Sequence, residues 1–147
     1  MTFIETLSQI TPTLSQSQAL QTDKPIVVEA CAGSGKTTML IHRILHILWT
    51  NPSLCLDQIL AITYTQKAAS EMTLRLYEKL CIQPSDTAEM QVFKRRIMQQ
   101  LTQSHITTIH GFCRSVIMTH AIDIGIDPGI DLLDGEQSRL LQHRCII

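Results

Sequence analysis

The sequence has no Cys-x-x-Cys pair, and its five cysteines, at 31, 55, 81, 113 and 145, are an odd number. That argues against a zinc site or a disulfide framework and for reduced thiols, as in a cytosol. Every apolar run is interrupted by His, Arg or a polar residue well before the roughly 18 positions a membrane-spanning helix needs. Met1-Thr2-Phe3-Ile4-Glu5 has no basic region ahead of an apolar core, so no secretory signal is visible. There is no internal repeat and no low-complexity segment. Neither charge prevails, with 12 Lys plus Arg against 13 Asp plus Glu. No global positive field draws the chain to nucleic acid, so any such contact must be local. What remains is a chain of 147 residues, 44% hydrophobic and 17% charged, long enough for one globular domain with a core.

One stretch organises the rest. Val27-Val28-Glu29 reads as a buried strand, Ala30-Cys31-Ala32-Gly33-Ser34 as a small-residue turn, and Gly35-Lys36-Thr37-Thr38 as the opening of an amphipathic helix. That is the context of a phosphate-binding P-loop. Gly33 and Gly35 permit backbone conformations that point consecutive N–H groups into one concavity, and the helix N-terminus adds partial positive charge. Lys36 would reach the β- and γ-phosphates of a nucleotide, and the Thr37 hydroxyl would ligate Mg²⁺. Ala30 stands where the strict pattern has Gly.

In chain order, residues 1–13 are expected to be an irregular lead-in. A short helix over 14–20, capped by Thr13 or Ser15, is broken at Thr22-Asp23-Lys24-Pro25. A first strand over 26–29 and the P-loop helix to Trp49 follow. A second strand (59–64), a helix (68–80) and a helix (88–101) lead to a third strand, 106–109. His110-Gly111-Phe112-Cys113 turns into a helix ending near His120. An extended piece over 131–133 and a last helix with Asp134–Gln137 capping spacing complete the reading. Strands alternating with helices imply a parallel sheet flanked by helices, α/β in class, with ligands at the carboxyl ends of the strands.

The turns after the second and third strands carry chemistry of their own. Thr63-Tyr64-Thr65-Gln66-Lys67 offers hydroxyls, a cation and an aromatic ring, the parts that grip a phosphate backbone and stack a base. Thr107-Thr108-Ile109-His110-Gly111-Phe112 repeats the recipe. Each also has a plainer reading: Tyr64 partly packed, His110 a helix-start hydrogen bonder, Phe112 a core residue. Lys94-Arg95-Arg96 reads first as a solvated helix face and second as a phosphate contact.

Taken in order and spacing, these three turns resemble the start of the first motor domain of UvrD/Rep-type superfamily 1 DNA helicases. The RecB/AddA branch, helicase subunits of double-strand-break repair helicase–nucleases, is the most similar. Ala30-Cys31-Ala32-Gly33-Ser34-Gly35-Lys36-Thr37 has that family's A-x-A-G-S-G-K-T form. Ile59 to Met72 resembles its single-strand-binding motif, and Thr108-Ile109-His110-Gly111-Phe112-Cys113 the next one; the resemblance covers about residues 14–142. It implies a P-loop NTPase (RecA-like) fold, incomplete here, with a partial ATP-binding domain over 14–147.

The resemblance further implies ATP and Mg²⁺ as cofactors, bound by Gln18 at the adenine edge and by Ala30 to Thr38 at the phosphates. Lys36 and Thr37 would be the catalytic residues, Thr37 also the metal ligand. It implies DNA contacts by Tyr64, Thr65, Lys67, His110 and Phe112, with Gln66 standing where many members have Asn. Translocation 3′→5′ on single-stranded DNA, duplex unwinding, an AddB-type or RecC/RecD-type partner and a cytoplasmic location follow from the same likeness. A P-loop ATPase also needs an acidic pair for Mg²⁺ and the attacking water, and the sequence has no Asp-Glu dipeptide. The expectation is therefore an N-terminal fragment that does not unwind DNA alone and whose motor a downstream polypeptide would complete. A non-catalytic nucleotide-binding module, a P-loop kinase and a remnant of a split gene are the alternatives.

Overall fold

A computed structural model describes residues 13–21, 24–31, 33–127, 129–130, 133 and 135–145. All of the expected lead-in over 1–13 except Thr13, the break at Thr22-Asp23, the loop residue Ala32, and the Asp131-Leu132 and Asp134 positions lie outside these residues. Main-chain contacts divide the chain into two compact units, one ending at Phe112 and one starting at Cys113.

In the first unit, helix α1 spans Leu14–Gln21. Of the two expected caps, Thr13 serves. Its Oγ1 accepts the Gln16 N–H at 3.4 Å, and Gln16 Oε1 accepts the Thr13 N–H at 2.9 Å, a reciprocal capping box. Helix α2 (Lys36–Thr50) buries Ile41, Ile44, Leu45 and Leu48, a stripe at 3.6-residue spacing. Strand β1 (Leu60–Thr63) leads to α3 (Gln66–Leu80), which buries Ala69, Met72, Leu76 and Leu80. Helix α4 (Ala88–Gln100) starts at Thr87, whose hydroxyl accepts the Met90 N–H, and adds Met90, Phe93 and Ile97 to the same core. Leu45, Leu48, Leu76, Leu80 and Ile97 are wholly buried. Each contributes about 1.5–3 kcal/mol relative to an exposed position. Strand β2 (His105–Thr108) pairs parallel with β1, Leu60 opposite His105 and Thr63 opposite Thr108.

The expected three-stranded sheet is corrected here: among the described residues it has two strands, β1 and β2. Residues 26–29 join no ladder, and Val27 is 99% exposed. A run apolar on both faces becomes a strand when neighbours pair its main chain and cover it, and no described residue does so.

Helix α5 (Ile109–Thr119) carries the chain across the division between the units. In the second unit, Ile126 N–H donates to Ala121 O at 2.8 Å through the turn around Gly125. Helix α6 (Gly135–Cys145) follows. No helix among the described residues is long and apolar enough to cross a membrane.

Candidate nucleotide and nucleic-acid site

The P-loop is held by local bonds. Gly33 and Gly35 have φ of +79° and +82°, left-handed values that a side chain resists. Ser34 N–H donates to Cys31 O at 3.3 Å, and Met39 N–H to Gly35 O at 2.9 Å, which starts α2. Lys36 Nζ turns back to donate to Ala30 O and, at 2.6 Å, to Cys31 O. The ammonium thus sits against the loop that would receive a phosphate. Charged phosphate oxygens are stronger acceptors than the two neutral carbonyls it would leave. Thr37 is exposed at the first turn of α2, where its hydroxyl is accessible to a cation, and Thr38 behind it is half-buried.

A cleft of about 590 Å³ joins this loop to α1. Ser34 and Lys36 line it together with Gln16 and the apolar side chains of Ile26, Val28, Met39 and Leu40. Arg43 holds α1 in place, donating to the carbonyls of Ala19 and Leu20 near its C-terminus. Sequence reasoning placed the base-reading amide at Gln18; Gln18 is exposed and absent from the lining, whereas Gln16 is on it. The Thr13-x-x-Gln16 capping-box spacing was the available signal for Gln16. An apolar slot with one amide and a phosphate-type loop has the chemistry to take a purine base and its phosphates.

The register brings the other two turns together, because Thr63 lies opposite Thr108. Tyr64 is fully exposed. Thr63 Oγ1 donates to Thr65 O at 3.0 Å, and Thr65 Oγ1 accepts the Ala68 N–H at 3.1 Å, capping α3. A hydroxyl has a donor besides its lone pairs, so Thr65 can cap the helix and still donate to a phosphate. Lys67 and His110 are exposed, while Phe112 is half-buried. Thr108 Oγ1 accepts the Gly111 N–H at 3.1 Å, and a Cβ at Gly111 would fall 2.3 Å from Thr107 Oγ1. Glycine is therefore what lets α5 start directly on β2. Sheet pairing joins these two turns to each other but not to the P-loop, whose preceding segment is outside the ladder.

The basic cluster does not act as a unit. Lys94 is 4% exposed, pairs with Asp86 Oδ2 at 2.8 Å and donates to Cys81 O at 3.1 Å. Arg96 donates to the carbonyls of Leu48 and Pro52, and its guanidinium lies 5.7 Å from the centre of the Phe93 ring. Arg95 alone of the three is exposed. Burial raises the Asp86 pKa, but the Gln83 N–H and Lys94 outweigh it and hold the carboxyl below its ordinary value. On α2, burial and then the Lys79 charge lower the pKa of His42, whose Nε2 is buried without a hydrogen-bond partner among the described residues.

Comparison with known proteins adds the family. Residues 12–146 match the model of the UvrD/REP helicase N-terminal domain. AddA-type subunits of bacterial ATP-dependent helicase/nucleases are similar to this chain. That of Pediococcus pentosaceus is 33% identical over 134 residues, 89% of this chain and 11% of the relative. That of Ruminiclostridium cellulolyticum is 37% identical over 131 residues, 86% of this chain and 10% of the relative. That of Acetivibrio thermocellus is 37% identical over 129 residues, 84% and 10% respectively. The chain thus spans about a tenth of the length of these curated relatives. With the matched span taking in the glycine loop, the cleft and both post-strand turns, the chain belongs to the UvrD/REP helicase N-terminal domain family.

Proposed function

We propose that this chain is the nucleotide-binding and single-stranded-DNA-binding portion of an ATP-dependent DNA helicase of double-strand-break repair. The observation that carries the reading is the P-loop, with two left-handed glycines and Lys36 already turned onto it. Bound ATP would supply the energy of the cycle, with Mg²⁺ offsetting phosphate charge. Lys36 would exchange the Ala30 and Cys31 carbonyls for phosphate oxygens, and the loop N–H groups from Cys31 to Thr38 would donate to the same phosphates. The Thr37 hydroxyl would hold the cation. Gln16, on the cleft, takes the base-reading part in place of Gln18. Tyr64 would stack on a base, with Thr65, Lys67 and His110 beside the backbone and Phe112 supporting the turn.

The parent activity is 3′→5′ translocation with an AddB-type or RecC/RecD-type partner, and the five free thiols fit a cytoplasmic setting. The sequence has no Asp-Glu pair to position the attacking water, so this chain by itself binds ATP and does not separate strands.

The test is thermal unfolding with and without Mg-ATP. A ligand at a hundred times its dissociation constant adds roughly 2.7 kcal/mol to the folded state. The wild type should shift upward and Lys36→Ala should not. An equal shift in both, or strand separation by the purified chain, would sink the reading.

A further inference from the structure

Two helices face the nucleotide cleft, and one side chain ties them together. On α2, Lys36, Met39, Leu40 and Arg43 all reach the lining. Steps of three, four and seven residues put them on one face of that helix. The main-chain positions of Lys36 and Arg43 are two turns apart, about 10 Å along the axis. Opposite them, α1 contributes Gln16, Ala19 and Leu20. Helix α1 has few anchors of its own. Its eight residues are fewer than the roughly 12–15 that sustain a helix in water without packing. Among its described side chains only Leu20 is buried. Arg43 supplies a second anchor, donating to the carbonyl of Ala19 and, at 3.4 Å, to that of Leu20. Carbonyls in the last turn of a helix have no donor within it, and a cation there also meets the negative end of the helix dipole. Gln16 stands three residues before Ala19, on the same side of α1. The Thr13 N–H holds its amide by donating to Oε1 at 2.9 Å. The amide is thus fixed to α1, and Arg43 fixes α1 to α2.

We propose that Arg43 is a positioning residue for nucleobase binding. By pinning the C-terminal turn of α1 to the P-loop helix, it sets the span between Gln16 and the loop that would receive the phosphates. The inference rests on the nucleotide-binding reading above and divides it in two. Holding the triphosphate depends on the loop, whose bonds from Ser34, Met39 and Lys36 are local and involve neither α1 nor Arg43. Holding the purine base depends on α1 standing where Arg43 keeps it. Without that tie α1 must be ordered each time the base binds, which lowers affinity for ATP and leaves a bare triphosphate unaffected.

The test titrates the full chain with Mg-ATP and with Mg-tripolyphosphate, a triphosphate without a nucleoside, by calorimetry. The wild type should bind ATP the more tightly. Arg43→Met should weaken ATP binding about ten-fold and leave tripolyphosphate within about two-fold. Gln16→Ala should do the same. The double variant should lose no more than about two-fold beyond either single one, because both residues act through one contact with the base. If Arg43→Met has no cooperative unfolding transition, Arg43→Lys takes its place, with the same selective loss expected at a smaller size. An unchanged ATP affinity in the Arg43 variant, or equal losses for the two ligands, would overturn the proposal. So would losses that multiply in the double variant, or a wild type that binds both ligands alike. Each of those results leaves the P-loop reading standing, whereas a wild type that binds neither ligand overturns both.

Discussion

Lys94→Met removes one ammonium and keeps most of the apolar stem. The partner left behind is Asp86, 4% exposed at its side chain, with the Gln83 N–H at 2.6 Å as its remaining donor. Breaking a buried ion pair on one side costs about 3–5 kcal/mol, because the surviving charge stays desolvated. The Gln83 bond keeps the cost near the lower end, and the lost bond to Cys81 O, just past the C-terminus of α3, adds to it. A loss of about 3 kcal/mol corresponds to a fall in Tm of roughly 6–12 °C for a chain of this size. Urea unfolding should show a lower midpoint at unchanged slope.

Acid sensitivity is a second readout. In the wild type the folded pKa of Asp86 lies below 3.8, so its stabilisation is complete above pH 3.8 and is lost as pH falls through the folded value. Without Lys94 burial dominates, the folded pKa rises, and acid sensitivity moves to higher pH. Asp86→Asn added to Lys94→Met should recover part of the loss. A loss under about 1 kcal/mol, no larger than that of the exposed Arg95→Met, would show the pair to be solvated and refute the reasoning.

Three further outcomes are expected. Tyr64→Ala should leave unfolding unchanged, since the ring touches solvent only, and weaken single-stranded DNA binding roughly ten-fold in fluorescence anisotropy. Gly111→Ala should destabilise by about 1–3 kcal/mol through the clash with Thr107 Oγ1, and Thr107→Ala should relieve it. His42 has a folded pKa below its ordinary 6.5, so stability should fall as pH drops below 6.5, by at most about 1.4 kcal/mol per pH unit. His42→Leu should remove that slope, and a wild type equally stable at pH 7 and pH 5 would contradict it.

Features that depend on neighbours in sequence were legible. Helices α1, α3 and α4 start where Thr13, Thr65 and Thr87 cap them, and α2 and α3 bury residues at helical spacing, as a 3.6-residue period requires. The P-loop glycines stand in the conformations their position demands. What failed to show was non-local. Lys94 reaches back eight residues, over the first two turns of α4, to Asp86, and nothing in Lys94-Arg95-Arg96 says that its first member turns inward. Gln16 and Gln18 are both helix glutamines, separated by which side of α1 meets Arg43 and the cleft.

The contrast between the formed loop and the unformed strand before it has one cause. The bonds that shape the loop close within six residues: Ser34 to Cys31, Met39 to Gly35, Lys36 to Cys31 and Ala30. Such bonds cost little loop entropy and need no partner strand. A strand over 26–29 has no such local option, because each of its main-chain groups needs an acceptor or donor from elsewhere in the chain or from another one. Ala30 is where the two regimes meet. Its carbonyl comes directly after the run that lacks a ladder and holds the Lys36 ammonium. The Lys36 ammonium thus closes the loop onto the residue that directly follows the unpaired run.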